Sequence, residues 1–136
     1  MEPWYRVTVP RREVWEGRFF NPDEFAIDLE QVVAKTASED YRDPQQLFAC
    51  TCFTSALREQ AGMVLRRLSG KTGNTAPVLA LITQFGGGKT HTLTALYHLA
   101  GNGKNAARYP RVVGLLAEAG FSSVPDAWVG VLVGNA

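Results

Sequence analysis

The stretch LITQFGGGKTHTL, residues 81–93, decides how the rest of the chain is read. It lies on the phosphate-loop pattern G-x-x-x-x-G-K-[ST]. Thr83, Gln84, Phe85, Gly86, Gly87, Gly88, Lys89 and Thr90 comply at seven of the eight positions, and Thr83 stands where the first Gly belongs. A Thr there is tolerable at negative φ and damaging at positive φ. Gly86, Gly87 and Gly88 carry no side chains, so consecutive N–H groups can curl toward phosphate oxygens. Lys89 is placed to reach the β- and γ-phosphates, and the Thr90 hydroxyl to ligate Mg²⁺. A helix beginning at Lys89 aims its amides and its dipole at the same anion. Gln84 and Phe85 form the outer lip, with Phe85 as a hydrophobic plug. His91 has two readings: a contact to a phosphate, sensing the γ-phosphate, or an interfacial histidine with an ordinary hydrogen bond. His98 shares its helix face, and Thr92 and Thr94 serve phosphate or helix packing.

Outward from the loop, the short apolar run VLALI, residues 78–82, reads as a buried parallel strand. A helix from about residue 89 to 100 follows, closed by Gly101-Asn102-Gly103, then a short helix over 110–119 ended by Gly120. WVGVLV, residues 128–133, reads as a second strand, with Asn135 at the edge where α/β sheets place ligands. The expected architecture is therefore α/β: an incomplete P-loop NTPase parallel sheet of two strands, preceded by a helical N-terminal region. A complete P-loop domain has about five parallel strands. The acids after Thr90 are Glu118, in a helix, and Asp126, in a turn, so no Walker B carboxylate is found. Binding without hydrolysis is expected of this chain alone, as the N-terminal piece of a longer ATPase.

Residues 71–136 form that truncated NTPase part, and residues 1–70 a helical lead-in. The lead-in opens with an extended, aromatic-rich arm (Trp4, Tyr5, Trp15, Phe19, Phe20) expected to pack on something. A helix follows over 21–37, with Asn21 as N-cap, Pro22 in its first turn and Phe25, Leu29, Val32 and Val33 on one face. Asp43-Pro44 opens another, to about Cys50. A third runs from Thr54 or Ser55 to Leu68, with Leu57, Ala61, Val64, Leu65 and Leu68 as its stripe and Gly70 as its stop. Composition allows this: 136 residues, 46% hydrophobic, suit one packed domain. A net charge of +1 gives no global field for nucleic acid. Cys50 and Cys52 form a lone C-x-C with no second pair of zinc ligands nearby. No signal peptide and no apolar run long enough for a membrane span are visible, so a cytoplasmic protein is expected.

MEPWYRV, PDEFAIDLEQVV, DYRDPQQLF, FTSALREQAGMVLRRLSG and above all TQFGGGKTHTLTALYHLA resemble a family of large, poorly characterised prokaryotic ATPases. These have an uncharacterised AAA-like ATPase domain, and their genes often neighbour DNA methylases and other defence-related genes. The resemblance covers nearly the whole chain, as the start of such a protein. It implies ATP as the nucleotide, Mg²⁺ as its metal, and Thr83 as a family trait. It raises His91 as a positioned residue. As partners it implies the rest of the ATPase domain, or a partner chain completing the sheet, with DNA, defence-system proteins and self-assembly into a homo-oligomer. Two alternatives stand beside it: a P-loop kinase or other phosphotransferase, and a non-enzymatic interaction module whose P-loop is vestigial or switch-like.

Overall fold

Three helices begin where a side chain takes over a backbone amide that the helix itself cannot satisfy. Asp28 accepts from Glu30 N at 2.9 Å, Asp43 from Gln45 N at 3.1 Å, and Thr54 from Leu57 N at 3.3 Å. The computed structural model describes residues 2–10, 12–17, 27–82, 84 and 86–134. Over these the elements are α1 (Trp4–Val7), α2 (Arg12–Trp15), α3 (Leu29–Val33), α4 (Glu39–Arg42), α5 (Pro44–Cys50), α6 (Ser55–Leu68) and α7 (Lys89–Asn102). A 3₁₀ turn (Gly103–Arg108) and α8 (Pro110–Ala119) complete them. Pro44 and Pro110 stand in the first turns of α5 and α8, where the missing N–H costs nothing.

The core forms where four of these helices meet. Leu47 and Phe48 of α5, Leu57, Ala61 and Leu65 of α6, Ala95 and Leu99 of α7, and Val112, Leu115 and Leu116 of α8 are all buried. Ala106 and Val124 seal the same cluster. The i, i+4, i+8 spacing on α6 puts Leu57, Ala61 and Leu65 on one face, and each large aliphatic side chain so buried contributes about 1.5–3 kcal/mol. Val64 is half-buried and Leu68 exposed, so the expected stripe narrows toward the end of α6. The cluster draws on residues from both sides of the 71–77 connector. No helix among the described residues is long and apolar enough to cross a membrane.

The expected two-stranded P-loop sheet is overturned: the described residues contain no strand. Residues 78–82 and 128–133 belong to neither helix nor strand, and no backbone hydrogen bond joins them. Apolar, β-branched runs favour an extended backbone, but a strand exists only when a second backbone supplies the ladder. Here none does, and the side chains stay in water: Val78 is 76% exposed, Ile82 90%, Trp128 104% and Leu132 100%.

The N-terminal arm also departs from expectation. It contains the two short helices α1 and α2, and Trp4, Tyr5 and Trp15 are exposed rather than packed. Trp4 and Tyr5 meet edge to face, with ring centroids 6.0 Å apart. Of the helix expected over 21–37, Asn21, Pro22 and Phe25 lie outside the described residues. What is described starts at Leu29 and stops early. Lys35 turns left-handed (φ 62) and Thr36 N closes back on Gln31 O at 2.9 Å.

Candidate site at the N-terminus of α7

The glycine-rich loop adopts the backbone that its sequence permits and few others would. Gly86 (φ 79) and Gly88 (φ 74) are left-handed, a region that side chains with a Cβ rarely enter. Gly88 is the N-cap of α7 and offers no side-chain acceptor. The first helical bond runs from Thr92 N to Gly88 O at 2.9 Å, so the amides of Lys89, Thr90 and His91 have no acceptor within the helix. A Cβ built on Gly86 or Gly88 would meet no heavy atom within 4 Å, so the space at both positions is open. Gln84 organises the near side, its carbonyl accepting from Gly87 N and from Lys89 Nζ, each at 3.1 Å. Thr83, Phe85 and Asn135 lie outside the described residues. Thr90 is half-buried, and Thr94, fully buried, donates back to Thr90 O at 2.9 Å, a bond within the helix.

His91 makes the interfacial hydrogen bond. Thr51, fully buried at the end of α5, donates its one hydroxyl proton to Leu47 O at 2.7 Å. Its oxygen can then only accept from His91 Nε2, 3.1 Å away, which fixes the proton on that nitrogen. On the carbonyl side, Thr51 O accepts from Arg111 Nη1 of α8 at 2.8 Å. One residue thus joins the ends of three helices. His98, one face further along α7, donates Nε2–H to Tyr41 O at 2.8 Å and packs edge-on against Tyr97. Both histidines therefore anchor α7 to the α4–α5 layer.

Burial lowers the pKa of both imidazoles from the usual 6.5; for His98 the Tyr41 hydrogen bond and the Asp43 carboxylate partly oppose it. As pH falls below 6.5 the unfolded chain takes up protons that the folded chain refuses, so stability is lost through that window and unchanged above it. The thermal midpoint is expected to be level above pH 6.5 and to decline on acidification below it. His98→Gln, which keeps a donor for Tyr41 O without a titrating ring, should flatten that decline. An equal decline in the variant would refute the assignment.

Beside Thr90 opens a cavity of about 740 Å³ between the start of α7, the cap of α3 and the chain around residue 133. Its apolar walls are Ile27, Leu29, Leu93, Leu132 and Val133, and its polar groups are Asp28, Gln31 and Thr90. The sequence reading missed Asp28 and Gln31, because no local spacing ties them to residue 90. The two acids downstream of Thr90 are elsewhere: Glu118 pairs with Arg58 at 3.2 Å and Asp126 with Lys104 at 3.3 Å. Cys50 and Cys52 are exposed and form no disulfide with each other, and the described residues hold no cluster of three metal-binding side chains.

These features define a class: a helical domain in which a glycine-rich loop carrying Lys-Thr opens a core helix. More particularly, the chain belongs to the DUF499 N-terminal domain family, whose model matches residues 5–118, from α1 through the loop to α8. No curated protein and no solved structure matches the chain.

Proposed function

We propose that this chain binds ATP with Mg²⁺ through residues 83–91, as the N-terminal portion of an AAA-like ATPase. One observation carries the reading. The left-handed pair Gly86 and Gly88 delivers the chain into α7 with three first-turn amides and the Lys89 ammonium beside one open loop. Those amides would hold phosphate oxygens, Lys89 would exchange the Gln84 carbonyl for a phosphate, and Thr90 would ligate the metal. Bound Mg²⁺ would neutralise charge on the phosphates. Hydrolysis requires an acid and a water-positioning group. Because Glu118 and Asp126 are paired away from the loop, those groups come from the rest of the ATPase domain or from a partner chain.

Titration calorimetry of this chain with ATP, with and without Mg²⁺, tests the reading. Saturable binding strengthened by the metal supports it, and absence of heat at millimolar ATP sinks it. A second reading, a non-enzymatic interaction module, is favoured by the exposed Val78, Ile82, Trp128 and Leu132. It would gain ground if ATP failed to bind while these residues were protected by a partner.

A further inference from the structure

We infer that the cavity beside Thr90 receives the nucleoside half of the ligand and selects adenine, with Gln31 reading the base and Asp28 holding the ribose. The inference rests on the phosphate-loop reading above and extends it to residues that carry no motif. Thr90, the residue that closes the loop pattern, is among the residues lining the cavity, so the cavity adjoins the phosphate loop. About 740 Å³ lies within the range of small-molecule sites, which pair apolar walls with a few polar groups. Leu93 of α7, Ile27 and Leu29 beside α3, and Val133 supply apolar surface along it.

The polar groups carry the selectivity. Asp28 spends Oδ1 on the Glu30 amide, and Oδ2 keeps its lone pairs. A carboxylate only accepts, and the 2′- and 3′-hydroxyls of ribose donate. Gln31 uses its backbone carbonyl to close α3, whereas its exposed side-chain amide is committed to nothing in the described residues. An amide offers one donor and one acceptor side by side. Adenine presents the matching acceptor N7 and donor N6, whereas guanine presents two acceptors there.

Calorimetry with three probes, ATP, GTP and inorganic tripolyphosphate, tests this on the intact chain and on two variants. Gln31→Leu alters an exposed side chain, and Asp28→Asn retains an effective helix cap, so both should fold. The native chain is expected to bind ATP about tenfold more tightly than GTP or tripolyphosphate. Gln31→Leu should remove the preference for ATP over GTP, and Asp28→Asn should weaken both nucleotides, while tripolyphosphate binds each variant as it binds the native chain. If tripolyphosphate matches ATP, or both variants bind ATP as the native chain does, the nucleoside lies elsewhere and the inference fails while the loop reading stands. If neither ATP nor tripolyphosphate binds, the loop reading falls and the inference with it.

Discussion

Lys89→Ala is expected to weaken Mg-ATP binding by about thirtyfold to a thousandfold and to leave the thermal midpoint almost unchanged. The loss follows from what the ammonium does at the loop. Its Nζ lies 3.1 Å from Gln84 O, a neutral carbonyl that it can give up for a phosphate oxygen. Charge-assisted hydrogen bonds contribute about 1.5–3 kcal/mol, and a lysine spanning two phosphates makes more than one, so about 2–4 kcal/mol disappears with the side chain. The fold loses little because Lys89 is half-buried at the rim of α7 and lies outside the core cluster. Calorimetry gives the affinity and a melting curve gives the stability. A variant that bound ATP like the native chain would mean that the loop does not cradle phosphates.

Phe48→Ala should have the opposite profile, with stability falling by about 3–5 kcal/mol. Phe48 is 1% exposed on α5, where α6, α7 and α8 share one core. Its ring stacks on Phe53 at 6.1 Å and tilts against Tyr109 at 5.6 Å, contacts that truncation removes while leaving a void. Domains of this size have about 5–15 kcal/mol in total, so the variant should lose a large share of its stability. Urea denaturation followed by far-ultraviolet dichroism measures the change. A shift under about 1 kcal/mol would show that the helices do not depend on this core.

How much of this was legible in the sequence depended on whether the signal was local. Asp43-Pro44, Thr54, and Pro110 with Gly120 mark helix ends through contacts within one turn, and α5, α6 and α8 fall where those residues put them. The three glycines at 86–88 marked a tight loop, and the fold adds that Gly86 and Gly88 are the left-handed ones. The four-residue helices α1, α2 and α4 are too short to carry a periodic pattern, and none of them was anticipated. Residues 78–82 and 128–133 misled for another reason. Their composition encodes an extended chain, and pairing, which composition does not encode, is what turns an extended chain into a sheet. At the site, Thr51 stands 40 positions from His91 and Asp28 still further from Thr90, so only the folded chain brings them together.

The placement of the tryptophans has a spectroscopic consequence. All three, Trp4, Trp15 and Trp128, are exposed, at 75%, 74% and 104%. Indoles already in water emit at long wavelength in the native state, so unfolding should barely move the intrinsic emission. The same insensitivity makes these residues a clean reporter of the other event. When a ligand or another protein covers the arm or the segment around Trp128, emission should shift to the blue with no change in helix content, separating association from folding in one measurement.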